Sequence, residues 1–348
     1  MYKKKKFKVP LDKFINYALY HPKRGYYMHK NPFGKDGDFI TAPYISIIFS
    51  EMICLWLISF WEKFYMGKEI NIVELGAGNG ELMYQIINSA EKFNVFFNKC
   101  NFKIFEKSRK LIELQKKKLK KNKIVWLKNL NELNNKPTIF IGNEFLDALP
   151  IKQYIKSDSK WYERYVENVS GSYKFTNIKC DIKKIEKKLN FKISKNQKFL
   201  EISFEAVKLL KNLNGIISKK GGCILMIDYA YLNNKMFDTL QAVKKHKKVN
   251  VLKEVGSADI THIINIPILK KITKSFNLEF DYNTQRDFLL KLGIMKRAEI
   301  LAANKKSFLE KANIFYRINR LIGKNQMGEL FKVIYFYKKR KKFKLGFE

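Results

Sequence analysis

Apolar positions along the chain fall into two alternating rhythms. The run 70–75, INIVEL, is followed by a helical pattern over 81–93, and the run 101–106, NFKIFE, by a lysine-rich helical pattern over 109–121. Further apolar runs lie at 123–127 (KIVWL), 138–145 (TIFIGNEF) and 222–230 (GCILMIDYA), with a helix predicted over about 198–219 before the last. Strand–helix alternation of this kind predicts an α/β fold, a parallel sheet covered on both faces.

Around this alternation the pattern changes. Residues 11–20 and 43–64 carry helical periodicity and flank a turn-rich stretch, HPKRGYYMHKNPFGKDGDFITAP, whose aromatic residues favour an ordered loop. Residues 151–180 read as short antiparallel strands with turns at Asp158–Ser159 and Ser170–Gly171. KVIYFYKK, 332–339, is expected to close the sheet as a late edge strand. The predicted organisation is an N-terminal helical segment and loop over 1–65, then one domain over 66–348 with insertions at about 151–197 and 231–300.

Composition narrows the function. The longest apolar candidate, ISIIFSEMICLWLISFW, is interrupted by Glu51 and reads as a buried helix, so no transmembrane segment is expected. Cys54, Cys100, Cys180 and Cys223 are scattered without a CxxC pair and there is no HExxH, so neither a metal site nor a disulfide framework is suggested. The net charge of +37 invites a nucleic-acid reading, but only eight of the 69 basic residues are arginine, the residue suited to phosphate forks and base edges. The excess of lysine, with abundant Asn and Ile, is read as compositional, and no specific nucleic acid is expected as a partner. MYKKKKFKVP lacks the apolar core of a signal peptide and the pattern of a transit peptide. It reads as a basic arm, and the expected location is the cytoplasm of a bacterium, or the mitochondrial matrix for a eukaryotic source.

The candidate chemistry begins at ELGAGNGE. Gly76, Gly78 and Gly80 are spaced G-x-G-x-G, and the third glycine of a dinucleotide fingerprint is replaced by Glu81, which would repel a pyrophosphate. Glu74, before the turn, suits a cationic ligand. S-adenosylmethionine carries an ammonium and a sulfonium and no phosphate, and the glycines let backbone approach it closely. Glu106, 32 residues after Glu74 and at the end of the next strand, is placed to accept from ribose hydroxyls.

The methyl acceptor is expected beyond the fourth strand, in GNEFLDALP, where Asn143, Glu144 and Asp147 would face the transfer region as catalytic residues. There is no Pro-Pro, so the N/D-P-P-Y/F motif of nucleic-acid amino methylases is absent. Paired carboxylates suit a guanidinium, which they bind as a fork. The alternative is that Asn143 and Asp147 cap a following helix, which for Asp147 stands nearly level with the functional role. Asp228, ending the fifth strand, either bounds the pocket or pairs with a lysine. Asp36 and Asp38 either close over the cofactor, bind substrate, or serve turn chemistry.

These pieces resemble the MidA-like methyltransferases, the family of the mitochondrial complex I assembly arginine methyltransferase. The matching stretches run over almost the whole chain: GYY (25–27), PFGKDGDFITAP (32–43), ELGAGNGELM (74–83), EKSRKLIELQKKKL (106–119), NEFLDALPIKQ (143–153), IDYAY (227–231), DTLQAVKKHKKV (238–249), GSADIT (256–261) and TQRDFLLKLGI (284–294). The resemblance implies a Rossmann-like, seven-stranded methyltransferase core. It also implies dimethylation of an arginine in a core subunit of respiratory complex I and a role in assembling that complex. It carries Gly76, Gly78, Gly80 and Glu106 over to cofactor binding. The chain departs from the family's usual G-P-G-R-G at GAGNG, and from its P-E-I-S followed by Phe-Gly-Glu at PYISIIFSE, where Tyr44 replaces an acid and Ser50 a glycine. The expected partner is a protein, a homo-oligomer is left open, and two other readings stand beside this one: an RNA methyltransferase, and a non-catalytic assembly factor on the same fold.

Overall fold

The computed structural model describes residues 7–29, 32–34 and 37–348. The basic stretch KKKK and Asp36 lie outside them. The chain divides into two compact units, one of residues 1–30, 146–212 and 230–278, the other of residues 31–145, 213–229 and 279–348.

The second unit holds the alternating pattern. Its strands are β1 (Ile70–Leu75), β2 (Cys100–Phe105), β3 (Val125–Leu127), β4 (Thr138–Asn143), β5 (Gly222–Tyr231, of which 222–229 belong to this unit), β6 (Glu279–Thr284) and β7 (Phe331–Tyr337). They lie in the order β6-β7-β5-β4-β1-β2-β3. The first five are parallel, and β7 runs antiparallel to both its neighbours. From β1 the chain moves outward to β2 and β3, then returns to the other side of β1 with β4. The carboxyl ends of β1 and β4 therefore flank the switch point, where an open α/β sheet leaves a crevice.

Burial explains the strands. All six residues of β1 and all seven of β7 are buried, as continuous apolar strands covered on both faces must be. The expectation that 332–339 forms a sheet edge is corrected here. β7 is paired on both sides, and the edge is β6, whose six residues are exposed or half-buried. The long apolar run forms helix Ile47–Tyr65, with Trp56, Phe60 and Trp61 buried against Ile72, Leu225 and Tyr335 in the core. Glu51, the acid within that run, receives two hydrogen bonds from Arg297, at 2.7 and 2.8 Å.

The first unit carries an antiparallel sheet. Phe7–Pro10, Lys160–Val169, Lys152–Ser157 and Phe199–Ile202 lie in that order, with Ser172–Cys180 on Lys160–Val169. The two predicted turns are present: Asp158, Ser159, Ser170 and Gly171 all have positive φ, the backbone that tight hairpins require. The helix expected over 198–219 begins only at Phe204. Phe199–Ile202 is instead a strand, because Lys152–Ser157 offers it a pairing edge. The segment 231–300 also divides, since residues 230–278 belong to this unit and Glu279 begins β6 of the other.

Candidate active site

An open cleft of about 400 Å³ sits at the carboxyl ends of β1 and β4 in the second unit. Its wall is the glycine turn and the start of helix Glu81–Ala90, with Glu74 below, Asn143 and Glu144 on the β4 side, and Phe33, Thr41, Pro43 and Tyr44 on the N-terminal side. The turn needs its glycines. Gly76, Gly78 and Gly80 have φ of +64°, +54° and +85°. A Cβ on Gly76 would meet the Phe145 ring at 2.5 Å, and one on Gly78 the Phe33 ring at 3.1 Å. A left-handed backbone with no side chain leaves the peptide groups bare to a ligand.

Glu74 is buried at the base of this turn, and the backbone N–H of Met83 in the first turn of the helix donates to it. Burial, and then the charge of Glu106, push its carboxyl up to about 8. Among the described residues its Oε2 is buried with no hydrogen-bond partner. A carboxyl so placed is costly alone and is satisfied by a cation. The bare turn and this unmatched oxygen together fit the ammonium-bearing end of S-adenosylmethionine.

Glu106 stands at the end of β2, outside the cleft's immediate lining. Its Oε1 accepts from the amides of Lys107 and Ser108 at 2.8 and 2.9 Å. Burial pushes it up to about 7, against those amides. Glu81, which stands where a dinucleotide site has glycine, lines the cleft and is ion-paired to Lys118. Tyr44 Oη accepts from Asn79 Nδ2 and, at 3.3 Å, from Lys118 Nζ.

On the β4 side Asn143 Nδ2 donates to Glu144 Oε1 at 3.1 Å. Glu144 holds φ of +51°, and its N–H donates to Ile227 O at 2.9 Å. A non-glycine residue in this region is strained by about 1 kcal/mol or more, and such residues gather at functional sites. The bonds to Ile227 O and from Asn143 Nδ2 hold this carboxylate on the cleft wall. Asp228 is buried and accepts from the amides of Phe145 and Tyr229 at 3.1 and 2.9 Å, so it pins the loop after β4. Asp38 is buried and is not among the lining residues.

Asp147 belongs to the first unit, where it is buried. The helix it would alternatively cap does not form: residues 144–149 make bends and a turn at Asp147–Ala148, followed by the strand Lys152–Ser157. His262 fixes this turn, its backbone N–H donating to Asp147 O and its Nε2 to Leu146 O, each at 3.1 Å. Burial pushes the imidazole down to about 4, so it is neutral. In the same unit Tyr27 Oη donates to Asp259 Oδ1 at 2.8 Å, and burial, then Asp259, Tyr20 and Asp147, push the Tyr27 hydroxyl well above its ordinary value.

The sequence reading missed Tyr27, Asn79, Lys118 and Asp259. Tyr27 and Asp259 sit inside GYY and GSADIT, stretches that carry the resemblance, but only the fold shows that they meet. Asn79 and Lys118 gave no signal, since an asparagine in a turn and a lysine among lysines are ordinary.

A family model of S-adenosyl-L-methionine-dependent methyltransferases matches residues 52–283. The chain is 30% identical to the mitochondrial protein arginine methyltransferase NDUFAF7 homolog of Caenorhabditis elegans, over 93% of this chain and 82% of that one. The chain belongs to this methyltransferase family. It is also 26% identical to the mitochondrial protein arginine methyltransferase NDUFAF7 of Xenopus tropicalis, over 93% of this chain and 81% of that one. In fold it matches a Burkholderia thailandensis COG1565 superfamily member bound to S-adenosyl-homocysteine, with a TM-score of 0.81 and 22% identity, over 98% of this chain and 89% of that one. The expected α/β methyltransferase fold is thus present, and this methyltransferase uses S-adenosyl-L-methionine as methyl donor. Among the described residues no helix is long and apolar enough to cross a membrane, and no cluster of His, Cys, Asp or Glu could hold a metal.

Proposed function

We propose that this methyltransferase modifies an arginine of a protein, by dimethylation of a core subunit of respiratory complex I, and so aids assembly of that complex. Its relatives are named protein arginine methyltransferases, which supports an arginine acceptor, and the family resemblance supports the complex I target. The observation that carries the reading is Glu144, a carboxylate held on the cleft wall by its backbone bond to Ile227 O and the Asn143 amide.

In this reading Glu74, Gly76, Gly78, Gly80 and Glu106 hold the cofactor. Glu74 receives the ammonium, the three glycines lie against the ligand, and Glu106 accepts from the ribose. When bound, S-adenosylmethionine supplies an electrophilic sulfonium methyl group. Glu144 accepts from the guanidinium N–H groups and turns one nitrogen toward the methyl group. In-line transfer forms the N–C bond as the S–C bond breaks and S-adenosylhomocysteine leaves, so catalysis is mostly a matter of positioning, and the proton lost from the methylated nitrogen passes to the Glu144 carboxylate and on to solvent. Asn143 holds the Glu144 carboxylate in its orientation, and the two carboxylate oxygens of Glu144 suit the paired N–H groups of one guanidinium edge.

The test compares Glu144→Gln with the unaltered protein. The variant should bind S-adenosylhomocysteine within a few-fold of the original and lose about a hundredfold or more in methyl transfer to protein arginine. A variant that retains full transfer would refute the role given to Glu144.

A further inference from the structure

Gln115 lies on the helix Arg109–Lys118 and is fully buried. Its side chain joins three separate pieces of the second unit. Nε2 donates to the Gly78 carbonyl at 2.8 Å and, more weakly, to Glu106 Oε2 at 3.4 Å. Oε1 accepts from the indole N–H of Trp126 in β3 at 2.9 Å. The two amide hydrogens and the carbonyl are thus all committed, and the Trp126 bond decides which end of the amide faces the turn. A Cβ on Gly80 would already lie 3.4 Å from Gln115 Cγ, so the helix packs directly on the turn.

A buried amide is costly unless it is hydrogen-bonded, and this one is bonded at both ends. Here two of the three partners are the backbone of the glycine turn and the acid assigned to the ribose. Glu106 Oε1 is already held by two amides, so Gln115 supplies the contact that fixes its other oxygen. We propose that Gln115 is a positioning residue for the adenosyl group, setting the glycine turn and Glu106 at the separation that lets both grip one ligand. The inference rests on the reading that Glu106 accepts from the ribose hydroxyls. Sequence alone shows only a glutamine in a lysine-rich helix.

The test measures binding of two probes, S-adenosylhomocysteine and its 2′,3′-dideoxy analogue, to the unaltered protein, Gln115→Glu and Gln115→Met. Gln115→Glu keeps the Trp126 acceptor and turns an oxygen toward Gly78 O and Glu106. Gln115→Met keeps the packing and removes every polar contact, so one variant covers the other if folding fails. The expected result is that both variants weaken S-adenosylhomocysteine about tenfold, the scale of a lost hydrogen bond to a charged group. The dideoxy analogue should weaken much less, so the preference for ribose hydroxyls collapses. Equal weakening of both probes, or of neither, would overturn the inference and leave Gln115 a packing residue. If the unaltered protein binds both probes equally and Glu106→Gln changes nothing, the ribose reading itself fails, and the inference falls with it.

Discussion

Tyr44 and Asn79 are hydrogen-bonded to each other at the cleft, Nδ2 donating to Oη. They are also two positions at which the resemblance drawn from the sequence leads one to expect an acid and an arginine. Two substitutions that look unrelated in sequence therefore meet in space. The pair is neutral in this chain, and Lys118, which also reaches Tyr44, keeps a cation beside it.

That relationship predicts coupling. Tyr44→Glu and Asn79→Arg should each weaken S-adenosylhomocysteine binding, while the double variant recovers it to within a few-fold. The coupling energy expected for neighbours in contact is about 1–2 kcal/mol. A double-mutant cycle by calorimetry measures it, and strictly additive losses would show that the two positions act independently.

Glu74 predicts a pH dependence. Burial and Glu106 raise its carboxyl to about 8, so in the free protein it carries a proton at neutral pH. Binding an ammonium demands the carboxylate, so binding releases a proton and affinity rises with pH up to about 8, at most about tenfold per unit for one group. Glu106, raised to about 7, adds to the lower part of that range. For stability the sign is opposite. A raised carboxyl contributes fully below about pH 4.5, and the contribution is lost as pH rises through about 8. Glu74→Gln should flatten both profiles. Calorimetry in buffers of different ionisation enthalpy reads the proton release directly, and a flat affinity profile between pH 6 and 8 in the unaltered protein would contradict this account.

Gly78→Asp should abolish cofactor binding. The residue holds φ of +54°, and its Cβ would fall 3.1 Å from the Phe33 ring, in the space the turn leaves bare. The left-handed backbone alone costs about 1–2 kcal/mol for an L side chain. The variant should therefore melt lower and show no shift in melting temperature on adding S-adenosylhomocysteine. A retained shift would remove the turn from the binding site.

Much of the second unit was legible because continuous apolar strands alternate with amphipathic helices, and both signals are local. INIVEL and GCILMIDYA are the strands they promise. The place of β7 was not legible. An apolar run says that both faces are covered but not which neighbours pair with it, and only tertiary structure puts β7 inside the sheet. Phe199–Ile202 likewise became a strand because a partner edge was available, which local periodicity cannot report. At the site, Glu74 and the glycines were readable because each is unusual where it stands. Gln115, Tyr27 and Asp259 were not, because Gln115 takes its meaning from the turn at Gly78, 37 positions away, and Tyr27 and Asp259 from each other, 232 positions apart.

Arg297 offers a control remote from chemistry. Its two hydrogen bonds to Glu51 satisfy the acid inside the apolar helix Ile47–Tyr65. Arg297→Met should cost about 1–3 kcal/mol, the scale of leaving a charged acceptor unmatched, less whatever solvent reaches the pair. It should leave S-adenosylhomocysteine affinity unchanged. Urea unfolding measures the loss, and an unchanged midpoint would mean that solvent serves Glu51 as well as the guanidinium does.

The central claim is methyl transfer to arginine in a protein, and labelled S-adenosylmethionine tests it most directly. Purified protein is incubated with the label and an extract of cells lacking it, with protease and RNase controls. The account predicts label in one protease-sensitive band, released on hydrolysis as methylated arginine from a complex I subunit and absent with Glu144→Gln. Label in RNase-sensitive material, or none despite measurable S-adenosylhomocysteine binding, would contradict it.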